Sequence, residues 1–355
     1  MRDMKHYTKG RGAQYNPQNR FFTNEYGQHH VEGIDEWEEE PTRTFQTTVH
    51  PKTLVNKVES PDVGMAYSAN PYQGCEHGCI YCYARNSHQY WGYSAGIDFE
   101  SKILVKENAP ALFKEFINKK SWQADTISLS GNTDCYQPIE RKYQLTRQIL
   151  QIALDHGQPI GIITKNSLVK RDMDILEEMA KKQLCAVYLS INSLTEATRQ
   201  KLEPRTATAR ERLRTLEELS ARGIPTGIMC APIIPGLTDH EIPAVLQAAS
   251  DHGARWAGYT IVRLNGEIAV LFKDWLEKTY PDRADKILHQ IAACHNGQLN
   301  NSTFGNRMRG SGNIAQIIKD NFKLHARKCG LNQDTHTFSK THFRRSTSSD
   351  QLRLF

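Results

Sequence analysis

Cys75-Glu76-His77-Gly78-Cys79-Ile80-Tyr81-Cys82 sets three thiols at a C-x3-C-x2-C spacing. Thiolates are the ligands of iron–sulfur clusters, and a [4Fe–4S] cube has four irons to satisfy. Three cysteines leave one iron open. An open iron can take the amino and carboxylate groups of S-adenosylmethionine, and an electron from the reduced cluster then splits the sulfonium to give a 5′-deoxyadenosyl radical. The cofactors carry that chemistry, and the protein binds and orients them. Zinc is the competing use of the same residues. A structural zinc site takes four protein ligands. His77 would have to join the three cysteines in a crowded tetrahedron, and no second C-x2-C or H-x3-H pair follows.

The stretch NPYQGCEHGCIYCYAR resembles the radical S-adenosylmethionine motif, with Tyr81 just before the third cysteine. The flanks SANPYQG and SAGIDFESKILVKENA resemble a bacterial group of such proteins, related to spore photoproduct lyase and without an agreed reaction. The resemblance runs from about Gly10 to about Gly312. It implies an α/β fold: a partial (β/α)6 radical SAM barrel with an N-terminal extension and C-terminal helices. It also implies a [4Fe–4S] cluster on Cys75, Cys79 and Cys82, S-adenosyl-L-methionine, and an external electron donor such as flavodoxin or ferredoxin.

The totals fit that reading. The chain has 355 residues, with 45 basic against 39 acidic side chains and a net charge of +6. This balance is compatible with nucleic acid but weak as an argument. Of 8 cysteines, those outside the motif (Cys135, Cys185, Cys230, Cys294, Cys329) are scattered and form no disulfide framework. An oxygen-sensitive cluster and free thiols point to a reducing compartment. The polar N-terminus and the lack of a long apolar run predict neither a signal peptide nor a membrane span, hence a cytoplasmic protein.

Residues 1–60 read as a polar arm, either solvated or wrapping a phosphate backbone or the barrel. Residues 61–266 read as the barrel, with strands in VGMAYSAN, DTISLSGNTD, PIGIITKN, CAVYLSIN, PTGIMCAPI and WAGYTIVRL. Helical spacing spans 139–156, DMDILEEMAKK, TARERLRTLEELSARG and EIPAVLQAASDHG. Repeated βα units imply parallel strands with right-handed crossovers. Residues 267–330 read as added helices, and 331–355 as a flexible tail.

In parallel α/β folds the working groups gather at the carboxyl ends of strands. That selects Gly131, Asn132, Thr133 and Asp134, then Lys165 and Asn166, then Ser190 and Asn192, then Cys230 and Arg263. Gly131 admits close approach of a ligand. Asn132, Thr133 and Asp134 suit the methionyl amine or ribose. Lys165 suits the methionyl carboxylate, and Ser190 and Asn192 the same end. By the resemblance, polar strand-end residues contact S-adenosylmethionine. Ordinary strand-end polarity is the alternative. Glu203 and Arg205 read either as an Arg–carboxylate clamp on a ligand or as a helix-entry salt bridge. Cys135 reads as a hydrogen-atom donor or as a buried inert thiol. In the related lyases tyrosines beside the third cysteine are implicated in hydrogen relay. Tyr81 and Tyr83 therefore read as catalytic, or as shielding and packing groups. His88, Tyr90, Trp91 and Tyr93 form an aromatic cluster suited to bases or to the core. FGNRMRGSGN (304–313) suits a phosphate or a solvated loop.

Gln351-Leu352-Arg353-Leu354-Phe355 resembles the QLxLF peptide by which bacterial replication and repair proteins dock on the sliding clamp. The expected function is a radical enzyme with a lyase-like DNA repair activity. The alternatives are a radical enzyme acting on RNA, protein or a metabolite, and a non-catalytic iron–sulfur module that binds nucleic acid.

Overall fold

The computed structural model describes residues 7–21 and 43–345. The strands are β1 (Phe45–Val49), β2 (Val55–Lys57), β3 (Tyr67–Ala69), β4 (Tyr72–Gln73), β5 (Lys102–Lys106), β6 (Ile127–Leu129), β7 (Ile160–Thr164), β8 (Cys185–Ser190), β9 (Thr226–Ile233) and β10 (Trp256–Ile261). The main sheet runs β10-β9-β8-β7-β6-β3-β2. β3 and β6 to β10 pair in parallel, and β2 adds to the edge antiparallel to β3. β10 and β2 do not meet, so the barrel stays open, as expected of a partial (β/α)6 barrel.

The six expected parallel strands all form, shorter than their apolar runs. Helices on the outside explain their two-sided burial: β6 is buried throughout, and β8 at every residue but Tyr188. The helix Ala209–Ala221 shows why the local sequence complies. Leu213, Leu216 and Leu219 repeat on one buried face, and the Thr208 hydroxyl accepts from Glu211 N at 3.2 Å to cap its start. Gly223, at φ 72°, supplies the left-handed turn that leads to β9.

Three expectations need correction. The helix expected over 139–156 is two, Glu140–Tyr143 and Leu145–His156, broken where Gln144 takes φ 51°. Glu140 causes the break: its carboxylate turns back to accept Thr146 N at 3.1 Å and caps the second helix. A second sheet, β1-β5-β4, is absent from the periodicity reading, because β4 has two residues and β5 lies in a flank read only for its resemblance. Nor is 331–345 a free tail. It runs past the loops that enter the strands. Arg344 N donates to His156 O at 2.9 Å, Ser339 N to Gln183 O at 2.9 Å, and Trp256 Nε1 to Asp334 O at 2.9 Å. It thus crosses the N-terminal ends of β7, β8 and β10. The helices Glu267–Thr279, Ala284–Ala293 and Gly312–Lys328 follow the barrel. The peptide Gln351–Phe355 and the acidic block at 36–41 lie outside the described residues. No described helix is long and apolar enough to cross a membrane.

Candidate active site

The loop after β4 carries Cys75, Cys79 and Cys82, and backbone bonds fix its path. Cys75 N donates to Phe99 O at 2.8 Å and Ile80 N to Leu202 O at 3.1 Å. Inside the loop sits Arg85, fully buried. Its guanidinium donates to Cys79 O at 2.9 Å, Gly78 O at 3.1 Å, Ala95 O at 3.2 Å and Gly96 O at 3.0 Å, and pairs with Glu100 at 2.5 Å. Glu100 in turn accepts Gly12 N at 3.1 Å and Ala13 N at 2.7 Å, pinning the segment 7–21 onto the loop. A side chain at Gly12 has no room: its Cβ would lie 1.8 Å from Gly78 O. Neither Arg85 nor Glu100 stood out in the sequence. The signal was an Arg ten residues into a motif whose backbone carbonyls need a multi-donor partner.

All three thiols are free of disulfides, Cys75 and Cys79 buried and Cys82 partly exposed. Burial, first of all, pushes each of them up; Asp134 adds to this at Cys75 and Glu203 at Cys79, while Arg85 opposes it at Cys82. Such thiols ionise when a cationic metal centre takes their charge. Among the described residues no three His, Cys, Asp or Glu side chains converge on a point suited to one metal ion. His77 is turned elsewhere: Nδ1 lies 3.4 Å from Asp134 Oδ2 and Nε2 lies 3.2 Å from Asn166 Nδ2. His77, engaged by Asp134 and Asn166, is thus not placed as a fourth zinc ligand, while three cysteines are by their chemistry the donors of an iron–sulfur cluster.

The strand ends face this loop. Asp134 follows β6 and bridges to β7, accepting from Thr164 Oγ1 at 2.8 Å and Lys165 N at 2.8 Å. Burial would raise its carboxyl, but His77 and these backbone donors outweigh that and hold it at about 2. Lys165 is electrostatically coupled to Cys79, Glu203, Asp134 and Cys82, which together raise its ammonium against the opposing effect of burial. Its Nζ lies 6.0 Å from the Tyr81 ring centre, and among the described residues it has no carboxylate within ion-pair distance. Asn192, past the end of β8, is 2 % exposed, and neither Nδ2 nor Oδ1 has a partner among the described residues. A buried amide with two unmet groups is a costly arrangement that a polar ligand would relieve.

Other expected residues take part in bonds and packing within the protein. Asn132 Nδ2 donates to Gln73 Oε1 at 3.2 Å and Ser87 Oγ at 3.1 Å, and Thr133 Oγ1 donates to Tyr72 O at 2.8 Å. Gly131 is needed for packing: a Cβ there would meet Ser68 Cβ at 2.6 Å. Ser190 O accepts from Arg212 Nη1 at 2.6 Å. The Glu203–Arg205 clamp does not form. Glu203 pairs with Arg212 at 2.5 Å, both buried, while Arg205 Nε donates to Gly10 O at 3.2 Å. Glu203 also accepts from the Tyr81 hydroxyl. Cys135 is not at the mouth. It is fully buried in the main apolar core, as is Cys230, because the turn after Asp134 points it inward. Tyr83 is 47 % exposed and donates to Gly131 O at 2.7 Å; desolvation of its hydroxyl, aided by Cys82, pushes it up to about 12. The aromatic cluster divides: His88 is buried and stacks on Tyr93 at 5.1 Å, while Tyr90 is exposed and meets Phe21 at 4.8 Å.

Comparison with known proteins bears on the family and the fold. Residues 69–249 match the family model described as the radical SAM superfamily. An uncharacterized protein of Methanocaldococcus jannaschii is 32 % identical over 242 residues, 68 % of this chain and 86 % of the relative. One of Mycobacterium tuberculosis is 31 % identical over 234 residues, 65 % of this chain and 69 % of the relative. A Pseudomonas phage protein named radical SAM Nalpha-GlyT isomerase is 26 % identical over 182 residues, covering 51 % of this chain and 36 % of its own. Among solved structures, spore photoproduct lyase complexed with dinucleoside spore photoproduct superimposes with a TM-score of 0.61 at 17 % identity, over 85 % of this chain and 86 % of the lyase. That likeness concerns the fold.

Proposed function

The chain belongs to the radical SAM superfamily, and from that premise we propose that it is an enzyme that binds a [4Fe–4S] cluster and S-adenosylmethionine and acts on DNA in a lyase-like repair reaction. The observation that carries the cofactor reading is the set of three thiols, two of them buried, near an ammonium, Lys165, that has no ion-pair partner among the described residues, with the Asn192 amide, unpartnered among the same residues, at the next strand end. When bound, the cluster and S-adenosylmethionine supply reductive cleavage of the sulfonium to a 5′-deoxyadenosyl radical. The protein's own residues bind and orient. Cys75, Cys79 and Cys82 hold the cluster. Lys165 receives the methionyl carboxylate as a point charge, and the Asn192 amide both donates and accepts at the same ligand. Tyr81, fixed on Glu203, walls off the third cysteine from water. Tyr83 Oη, held on Gly131 O, passes hydrogen to or from the substrate.

DNA as the substrate draws support from the fold shared with spore photoproduct lyase and from the net charge of +6. The same reading takes Gln351–Phe355 as a dock for the sliding clamp; Phe355→Ala should abolish clamp association without changing iron content. The deciding experiment is anaerobic. The reconstituted protein receives dithionite, S-adenosylmethionine and either ultraviolet-damaged or intact DNA. The expected result is 5′-deoxyadenosine stimulated by damaged DNA, or lesion loss with the cofactor regenerated. Deoxyadenosine formed at one slow rate whatever DNA is present would move the substrate to RNA, protein or a metabolite. None from an intact cluster would remove the enzyme reading.

A further inference from the structure

Arg263, just past β10, has a backbone held on both sides. Val262 N donates to Ile233 O at 2.9 Å, and Leu264 N to Leu299 O at 2.9 Å. Its side chain is held by nothing comparable. Among the described residues the half-buried guanidinium makes no hydrogen bond and no ion pair, and its electrostatic neighbours include Arg307, Tyr83, Asp62 and His295. Arg307 already occupies Asp62, with Nε 2.6 Å from Oδ2, while Gly305 N takes Oδ1 at 2.6 Å. Asp62 is thus spent on Arg307 and Gly305, and Arg263 has no share in it. Burial first, then the charge of Arg307, hold Arg263 below the usual arginine value. The Arg263 donors, unpaired among the described residues and open to solvent beside a like charge, are free to take an anion. The partially exposed Tyr83 is an electrostatic neighbour of Arg263. The Phe304 ring, 56 % exposed, lies 4.5 Å from the guanidinium of its other neighbour, Arg307. An exposed ring beside arginines is a stacking platform for a base.

We propose that Arg263 binds a phosphate of a DNA strand, that the adjoining base stacks on Phe304, and that the next nucleotide is thereby set before Tyr83. This rests on the reading of the chain as a radical enzyme acting on DNA, and it adds the subsite that grips the strand. A phosphodiester suits the site better than an isolated carboxylate, because it brings a fixed anion and a base to two neighbouring partners at once. Arg307 and the loop 304–310 act with it: their attachment to Asp62 holds Phe304 in place.

The test uses the full chain with its cluster reconstituted. A fluorescent ten-nucleotide oligodeoxythymidylate is titrated by anisotropy over a range of salt, alongside its uncharged methylphosphonate form. Arg263→Ala should weaken binding about ten-fold and reduce the salt slope by about one. Phe304→Ala should weaken binding with the slope unchanged. Wild-type protein should bind the methylphosphonate strand far less than the charged one. Inorganic phosphate competing as well as the oligonucleotide would overturn the strand and leave only a free-anion site. Thermal melts show whether Arg263→Ala stays folded; if it does not, Arg263→Gln carries the same comparison. Binding by wild type with an unchanged slope in the Arg263 variants overturns the subsite and leaves the DNA reading standing. Equal binding of the charged and neutral strands also overturns the subsite. No binding of either strand by wild type overturns both.

Discussion

Glu203 is buried, and its charge is met inside the protein by Arg212 and the Tyr81 hydroxyl. Burial alone would raise its carboxyl, but Arg212, then Lys165, more than reverse this and hold it below the usual carboxylate range. Removing one member of such a pair strands the other in low dielectric. Arg212→Met should therefore destabilise the cluster-free protein by about 3–5 kcal/mol in denaturant unfolding; a loss under about 1 kcal/mol would mean that water reaches Glu203. The sequence singled out Glu203 but paired it with its neighbour Arg205. Proximity in sequence misled, because Arg212 reaches Glu203 only after the turn at 204–208 folds the helix Ala209–Ala221 back. Cys135 misled similarly, since an irregular turn has no period from which a side chain's direction can be read. His88 offers a titration test away from the cluster ligands. Burial pushes its imidazole down to about 4, opposed by Asp98 and aided by Lys102 and Arg85. Above pH 6.5 the ring is neutral in both folded and unfolded chains. As pH falls from 6.5 towards 4 the unfolded chain takes a proton that the folded one refuses, so stability is lost, by about 3 kcal/mol at the lower limit. The difference in unfolding free energy between wild type and His88→Leu, followed from pH 7 to pH 4, should shrink by that amount; a constant difference would contradict it.

At the scale of elements, the cluster loop depends on a segment far from it in sequence. Residues 7–21 cover the loop through Glu100, and Gly12 lies where a methyl group would strike Gly78 O at 1.8 Å. Gly12→Ala must lift the segment and forfeit the bonds of Gly12 N and Ala13 N to a buried carboxylate, at about 1–3 kcal/mol. Iron retained per chain during mild chelation should fall roughly ten-fold faster than in wild type, whereas Lys9→Ala should behave as wild type. Equal iron retention by both variants would show that the loop stands without its cover. The βα units were legible because their apolar runs, caps and glycines all recur with the right periods. The cover was not. GRGAQYNPQNRF is polar, and its buried part, 11–13, is held by backbone bonds to Glu100 and by Ala13 in the apolar cluster with Ile80, too few apolar residues to leave a hydrophobic pattern.

The molecule as a whole keeps its chemistry and its closure at opposite ends. The thiols, Asp134 and Lys165 stand at the carboxyl ends of the strands, while 331–345 straps the ends where the strands begin. The strap is tied to carbonyls of the entering loops: Arg344 Nε donates to Asp155 O at 3.0 Å, and Arg345 Nη2 to Trp122 O at 2.5 Å. Asn332 serves the outer edge of β10, with Oδ1 accepting Ala257 N at 2.8 Å and Nδ2 donating to Ala257 O at 3.0 Å, so this strand presents less unpaired backbone to other chains. Gly157 is where the strap comes nearest. It holds φ 65°, and a Cβ would lie 2.1 Å from His342 O. Gly157→Ala should release the strap, lower stability by about 1–3 kcal/mol and open 331–345 to limited proteolysis. Iron content and uncoupled deoxyadenosine formation should not change, because the strap's hydrogen bonds go to the residues that lead into the strands, such as His156, Gln183 and Trp122. If that variant loses iron in step with its melting temperature, the two ends are one cooperative unit. If it loses only the strap, the barrel carries its site on a scaffold that tolerates opening at the far end.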